Sequence, residues 1–287
     1  MSGPVLVVGA SGNVGGAVAR SLRAAAIEVR VAGSSPASLA RRFPDAEAVR
    51  LDLHDPSTFE PALAAAGGLF LVRPPQIATV GPTLNALLDV AERSGVGHVV
   101  LSSVTGADTN RLVPHHRVEQ HLQRSGLSWT VLRPGFFAQN LADAYRDDIV
   151  HQDRIVLPAG EGRAAFLDVA DIGDVAAHVF ADPARHRGAA YTLTGPRAIG
   201  FAEVAGILSA ELDRPIRYHP TSPARYALHV HQQGRPWMQA VVQTVLHTGL
   251  RRGDAEIVDP TCELLLGRPP RRLEQYVHDN RHLWTRA

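Results

Sequence analysis

Residues 5–15 read VLVVGASGNVG, in which four apolar residues run directly into glycines at positions 9, 12 and 15. The uninterrupted apolar run predicts a buried strand, and the Ala-rich segment 14–25 predicts a helix. Gly9 suits the tight turn between them, Gly12 lets the main chain approach a phosphate, and Gly15 lets the helix pack close to the strand. A strand, glycines and a helix in this order present backbone N–H groups to the pyrophosphate of a dinucleotide. The alternative is a glycine-rich turn without a ligand.

Beyond this stretch, short β-branched runs alternate with amphipathic segments, which predicts a parallel sheet with helical crossovers. We therefore predict an α/β fold, a doubly wound parallel (Rossmann) sheet with a smaller C-terminal substrate lobe. The predicted domains are an NAD(P)-binding Rossmann domain at 1–194, with a substrate-loop insertion near 135–165, and a substrate-binding lobe at 195–287. Strands are predicted at residues 5–8, 28–32, 48–51, 69–72, 98–102, 129–132 and 190–193. Helices are predicted at residues 14–25, 36–42, 58–65, 79–94, 115–124, 172–180 and 201–212.

Composition narrows the class of protein. The 287 residues carry a formal net charge of +1, so no strong field indicates nucleic acid or a membrane as a partner. A single cysteine, Cys262, excludes an internal disulfide framework, and no histidine motif predicts a metal site. No charged leader precedes the first strand, and no apolar run reaches membrane-spanning length, so a cytoplasmic location is expected. The expected partner is a small-molecule substrate, and a homodimer is left open.

The end of the second predicted strand bears on the choice of dinucleotide. Proteins that prefer NAD commonly carry an acidic residue there, which holds the ribose hydroxyls. This chain has Gly33, Ser34 and Ser35 and no carboxylate, which favours NADP with NAD as the alternative. The two serines, with Arg41 or Arg42, are candidates to bind a 2′-phosphate, although Ser-Ser-Pro is also a plain helix N-cap.

Six stretches carry a family resemblance, namely GASGNVGG at 9–16, Asp52-Leu53, Ser102-Ser103, SGLSWTVLRPGFFAQNL at 125–141, FLDVADIGDVA at 166–176 and LLGRPP at 265–270. Together they resemble the NmrA-like atypical short-chain dehydrogenases/reductases, and the resemblance spans nearly the whole chain. It implies a Rossmann fold that binds NAD(P) and carries a variable C-terminal lobe. The family includes quinone and azo-dye reductases, isoflavone-type reductases, and members that bind NADP as sensors without turnover.

One departure from this family pattern concerns the chemistry. Typical catalytic relatives have Tyr and Lys four residues apart on the helix after the fifth strand, and this chain has Arg111 and His115 there. Arginine cannot donate a proton at neutral pH, so the tyrosine mechanism is not available. His115 is the candidate catalytic residue, because an imidazole can donate a proton near pH 7. It is alternatively a partner of the nicotinamide ribose, or a surface histidine.

These observations predict an NAD(P)H-dependent reductase that transfers hydride directly to a quinone, enone or ketone group of a small planar molecule. The alternatives are a non-catalytic NADP-binding redox sensor and a non-redox tailoring enzyme such as an epimerase, dehydratase or cyclase. The predicted substrate-binding residues are Gln76, Thr105, Phe136, Phe137 and Asn140. The predicted cofactor-binding residues are Gly9, Ser11, Gly12, Asn13, Val14, Gly15, Ser34, Ser35, Asp52, Leu53, Arg73 and Ser102.

Overall fold

The computed structural model describes residues 3–286 and contains a parallel sheet of seven strands. The strand order is β3-β2-β1-β4-β5-β6-β9, and each neighbouring pair is parallel. The predicted doubly wound sheet is therefore confirmed. The strands are β1 (Val5–Val8), β2 (Val29–Gly33), β3 (Glu47–Arg50), β4 (Gly68–Val72), β5 (His98–Ser102), β6 (Trp129–Pro134), β7 (Arg154–Leu157), β8 (Arg163–Ala165), β9 (Ala189–Leu193), β10 (Ala198–Gly200) and β11 (Arg217–Pro220).

Helices connect successive strands of this sheet, as parallel pairing requires. A 3₁₀ turn at Pro56–Thr58 precedes α3, a π-helical turn at Gly81–Asn85 precedes α4, and a last 3₁₀ turn spans Arg281–Trp284. The helices are α1 (Asn13–Ala24), α2 (Pro36–Arg42), α3 (Phe59–Leu63), α4 (Ala86–Arg93), α5 (Pro114–Arg124), α6 (Asn140–Asp143), α7 (Arg146–Gln152), α8 (Val169–Ala181), α9 (Phe201–Leu212), α10 (Pro223–Gln232), α11 (Trp237–Leu250), α12 (Thr261–Leu266) and α13 (Leu273–Asp279).

The chain forms two compact units. The first unit contains the chain up to Pro134, then Val169–Leu193 and Thr261–Arg268. The second unit contains Gly135–Asp168, Thr194–Pro260 and the chain from Pro269 onward. The segment 135–168 thus belongs with the C-terminal segments, and 261–268 returns to the sheet. The predicted roles of the two domains stay predictions.

In the first unit, α1 and α8 pack against each other unusually closely. A Cβ at Gly173 of α8 would lie 2.8 Å from the carbonyl oxygen of Ala17 on α1, so only glycine fits there. On the other side of the sheet, apolar side chains from β1, β4 and β5 pack with those of α3, α4 and α5, including Leu69, Leu88 and Leu122. These contacts hold the carboxyl ends of the strands in fixed positions.

The second unit has its own core, which is rich in aromatic side chains. Strand β11 pairs in parallel with β7, and β10 pairs antiparallel to β8. Phe166, Phe201 and Trp284 are buried in the core that these strands share with the helices. Among the residues that the structure describes, no helix has the length and apolar character needed to cross a membrane.

Candidate active site

The strand order reverses beside β1, because the next strand in sequence pairs with it on one side and β4 pairs with it on the other. Ligands of open α/β sheets bind outside the carboxyl ends of the strands at such a point. The loop after β1 begins at Gly9, and the residues after β2 are Ser34 and Ser35. Arg73 directly follows β4, and Ser102 is the last residue of β5. The topology of the first unit thus collects these predicted cofactor residues along one edge.

Two of the three loop glycines are required by the backbone itself. Gly9 has φ of +79°, and a Cβ there would lie 2.5 Å from Cγ1 of Val72. A Cβ at Gly15 would lie 2.4 Å from the carbonyl oxygen of Gly9, well inside van der Waals contact. The strand-to-helix turn and the close packing of α1 therefore need glycine at both positions.

Gly12 differs, because its Cβ would meet little of the protein. The nearest atom to that Cβ would be the carbonyl oxygen of Gly9, at 3.5 Å. Gly12 is the N-cap of α1, makes no side-chain capping bond, and is followed by no acidic residue in the first turn. The first N–H groups of a helix have no partners within it, and the helix dipole favours an anion there. A side chain at Gly12 would fill the space in front of the N-terminus of α1, and glycine leaves that space open. The residues at this helix end therefore fit a dinucleotide pyrophosphate.

A positive charge lies beside this loop. The Nη1 of Arg42 donates a hydrogen bond of 2.5 Å to the carbonyl oxygen of Ser11. Its guanidinium also lies 5.8 Å from the ring centroid of Phe43, the next residue. Ser34 and Ser35 are exposed at the end of β2. The structure thus distinguishes two arginines that the sequence left equivalent, because Arg42 contacts the loop after β1.

The acidic residue after β3 is held by a local turn. Oδ1 of Asp52 accepts a 3.0 Å hydrogen bond from the backbone N–H of His54. The backbone N–H of Asp52 donates to Oγ1 of Thr58, also at 3.0 Å. Leu53, the next predicted residue, is buried in the core of the first unit. Only the half-buried Asp52 carboxylate of this pair therefore offers a polar group to a ligand.

Arg73 and His115 form a pair. Nε of Arg73 donates to Nε2 of His115 at 3.2 Å, while Nη1 donates to the carbonyl oxygen of Ile77 at 2.5 Å. Burial lowers the pKa of His115 to about 4, and the charge of Arg73 contributes to that shift. The imidazole is therefore neutral at pH 7, and its single proton sits on Nδ1 because Nε2 is the acceptor. This corrects the expectation of an imidazole that titrates near neutrality.

Sequence reasoning missed a buried ionic cluster in the first unit. Glu119 of α5 is almost fully buried and accepts hydrogen bonds from Arg133 at 2.7 and 3.2 Å. The hydroxyl of Ser103 also donates to Glu119, and Asp108 pairs with Arg133 at 3.2 Å. Glu119 lies one turn beyond His115 on the same face of α5. The cluster thus holds the end of β6 and the helix that carries His115 in one arrangement.

The predicted substrate residues fall in both units. Gln76 and Thr105 are exposed in loops of the first unit, and Oγ1 of Thr105 donates to the carbonyl oxygen of Arg133 at 3.2 Å. The other three, Phe136, Phe137 and Asn140, lie close together in the second unit, where the backbone N–H of Asn140 donates to the carbonyl oxygen of Phe137.

Phe136 is less available to a substrate than its position after β6 indicates. Its ring packs edge-on against Phe166, with the centroids 5.3 Å apart, and against Phe201 at 6.3 Å. It is therefore largely a core residue of the second unit. Phe137 is half-buried too, and its backbone forms a β-bridge with Leu167.

The sheet, its glycine loop and the open helix end define a dinucleotide-binding Rossmann protein. Residues 1–248 match the model of the NmrA-like family, and the chain belongs to this family. The chain is 36% identical over 222 residues to NAD(P)H azoreductase of Xenophilus azovorans, covering 75% of this chain and 76% of that one. It is 30% identical to the oxidoreductase YesF of Bacillus subtilis (strain 168) over 283 residues, covering 98% and 96% of the two chains.

A solved structure agrees in fold over almost the same range. The NADPH complex of the NADPH-dependent quinone oxidoreductase QOR2 from Escherichia coli is 25% identical, with a TM-score of 0.83. The alignment covers 96% of this chain and 99% of that one. The predicted family is therefore confirmed. The names of these relatives also confirm the predicted class for the family, which is that of NAD(P)H-dependent oxidoreductases with NADP as cofactor. The individual site residues stay predictions.

Proposed function

We propose that this chain is an NADPH-dependent reductase that delivers hydride directly to a quinone, enone or ketone group of a small planar molecule. The observation that carries the proposal is the uncapped, acid-free start of α1, with Gly12 facing open space and Arg42 beside the loop. The names of the azoreductase and quinone oxidoreductase relatives support a flat, conjugated electron acceptor.

Each part of this edge has a distinct task in the proposal. The amides of the first turn of α1 hold the pyrophosphate, and Arg42 with Ser34 and Ser35 holds the 2′-phosphate of NADPH. NADPH supplies the hydride from its nicotinamide ring when it is bound. The protein contributes the orientation of the two reactants and the exclusion of water, which together account for much of the acceleration in such enzymes.

His115 acts in this proposal as a neutral hydrogen-bond donor. Its Nε2 is occupied by Arg73, so Nδ1–H is the group that it offers. A neutral imidazole polarises a carbonyl oxygen or orients the nicotinamide ribose without giving up its proton. The proton that completes the reduction of a quinone or ketone then comes from water. This assigns to His115 an orienting role in place of the acid role expected from its sequence position.

The test measures the consumption of NADPH, which is monitored as the loss of nicotinamide absorbance. The acceptors are a naphthoquinone, an enone, a ketone and an azo dye, each assayed with NADPH and with NADH. We expect NADPH oxidation that is tied stoichiometrically to reduction of the naphthoquinone. Gly12→Ala is expected to abolish it without changing the unfolding temperature. Gly206→Ala, which adds a Cβ at an equally open position in the second unit, is the matched control and retains activity.

A second candidate function is favoured by Arg111 and His115, which stand where typical relatives carry the catalytic pair. This is an NADP-binding sensor without turnover. The two functions give different results in the same experiment. A sensor binds NADPH with an affinity that depends on Gly12 but oxidises none of it with any acceptor, and that outcome would overturn the reductase proposal.

A further inference from the structure

A surface helix usually buries its apolar side chains and exposes its polar ones, and helix α11 largely reverses this pattern. Its buried positions carry the small or polar residues Ala240, Thr244, His247 and Gly249, with one large apolar side chain, Leu250, at the last position. Two of these satisfy their own polar groups, since Thr244 donates to the carbonyl oxygen of Ala240 and Nδ1 of His247 hydrogen-bonds the carbonyl oxygen of Gln243. The other six larger apolar side chains of the helix are exposed, namely Trp237, Met238, Val241, Val242, Val245 and Leu246.

These outward side chains, with Leu228 of the neighbouring helix α10, form what we call the α11 face. Met238 is 76% exposed, Val245 62% and Leu246 67%. Their spacing of three and four residues places them in a continuous stripe along one side of the helix. A single exposed valine needs no explanation, but a contiguous apolar patch of this size on a protein surface marks an interaction site.

The α11 face also lacks charge. The 14 residues of α11, WMQAVVQTVLHTGL, include no Asp, Glu, Lys or Arg. Interfaces are depleted of charge at their core, and two copies of one surface can meet only if they do not bring like charges together. Helices that lie on membranes carry Lys or Arg along their polar face, which is absent from this helix. An uncharged apolar stripe is therefore better suited to a second protein surface of the same kind.

We propose that the α11 face is the interface of a symmetric dimer with a second copy of this chain. Helix α11 packs on α11 of the partner about a two-fold axis, with the rows of Met238, Val242 and Val245 interlocking as ridges and grooves. The exposed part of the seven side chains amounts to on the order of 700 Å², compared with about 800 Å² per partner in a standard stable interface. The face thus supplies most of the area that a standard interface needs, and neighbouring residues at its rim supply the rest.

Sedimentation velocity and cysteine cross-linking test this interface. The full chain is expected to sediment as a dimer at micromolar concentration, and Val245→Glu is expected to give a folded monomer, because a carboxylate at an exposed position costs little in the monomer but is buried in the dimer. Leu112→Glu is the control, since Leu112 is 93% exposed on the first unit and lies outside the α11 face.

The single native cysteine makes the cross-linking unambiguous. Cys262 is buried, so it gives no background with a mild oxidant. Val242→Cys, near the middle of the stripe, is expected to form a disulfide-linked dimer, and Leu112→Cys is expected to remain monomeric on a denaturing gel without reductant. Circular dichroism establishes that each variant is folded.

Three results would overturn the proposal. One is a chain that is monomeric throughout the micromolar range. Another is a dimer that persists unchanged in Val245→Glu, which would place the interface elsewhere. The third is co-sedimentation of a monomer with vesicles of phosphatidylcholine and phosphatidylglycerol that Val245→Glu abolishes, which would make the α11 face a membrane surface. None of these outcomes depends on the consumption of NADPH.

Discussion

Replacing Arg42 by alanine tests the proposed contact between this arginine and the 2′-phosphate, the group by which NADPH differs from NADH. Arg42 is the candidate because it hydrogen-bonds to Ser11 in the glycine loop after β1. A hydrogen bond between charged groups contributes about 1.5–3 kcal/mol. Because the Arg42 side chain is exposed and its charge is screened, we take a value just below that range, about 1.4 kcal/mol, which is a tenfold change in a dissociation constant.

The Arg42→Ala variant is therefore expected to bind NADPH about tenfold more weakly, while NADH affinity changes by less than about threefold. The small change in NADH affinity is expected because Arg42→Ala also removes the hydrogen bond to Ser11, and this loss affects the binding of both cofactors. Isothermal titration calorimetry measures the dissociation constants for NADPH and for NADH. In the wild type, higher salt is expected to reduce the difference between the two affinities.

Arg41→Ala is the matched control for this measurement. Arg41 precedes Arg42 on α2 and is also exposed. The substitution therefore removes the same charge from the same helix. Its loss is expected to leave both affinities unchanged. Equal losses of NADPH and NADH binding in Arg42→Ala would refute the reasoning, because Arg42 would then act only on the loop. An effect in Arg41→Ala as large as that in Arg42→Ala would refute it too, since net charge would then be the cause.

Three further predictions concern stability. Gly15→Ala forces a Cβ to 2.4 Å from a loop carbonyl and is expected to cost about 1–3 kcal/mol, seen as a lower urea midpoint, and an unchanged midpoint would contradict the packing described. Glu119→Gln leaves Arg133 without its buried counter-charge and is expected to lower the free energy of unfolding by about 3 kcal/mol. The control Glu203→Gln, in an exposed ion pair, is expected to lower it by less than about 1 kcal/mol, and similar losses in the two variants would argue against the cluster. Burial lowers the pKa of His98 from 6.5 to about 4, so the unfolded chain binds more protons between these values and stability is expected to fall as the pH drops from about 6.5 towards 4. His98→Gln is expected to reduce that fall but not to remove it, because burial also lowers the pKa values of His115 and His247 to about 4; an identical pH dependence would exclude His98 as a contributor.

Much of the sheet could be predicted from local signals. The first strand, 5–8, and the fifth, 98–102, have the predicted limits, and the other five strands differ by one or two residues at their ends. Buried parallel strands are short apolar runs, and these stand out against the helices between them. The helix expected at 79–94 starts instead as a π-helical turn at Gly81–Asn85, where Pro82 lies in the first turn. The strands β8 and β10, of three residues each, are too short to leave a periodic pattern.

The site was predictable where backbone geometry alone defines it. The requirement for glycine at Gly9 and Gly15 follows from a strand-to-helix turn, and both are constrained as expected. The buried cluster around Glu119 was not predictable, since its partners lie 14 and 16 residues away in sequence and meet only in the folded sheet. The choice between two adjacent arginines, and the neutral state of His115, likewise depend on tertiary neighbours.

The chain passes between its two units five times, after Pro134, Asp168, Leu193, Pro260 and Arg268. No single cut in the gene therefore releases either half intact, and a truncation at 194 would leave the N-terminal product without the stretch 261–268 that completes the first unit. The same interleaving permits a different kind of exchange. Segments 135–168, 194–260 and the chain from 269 onward together form the second unit. A chimaera that keeps the first unit must therefore take all three segments from the same relative.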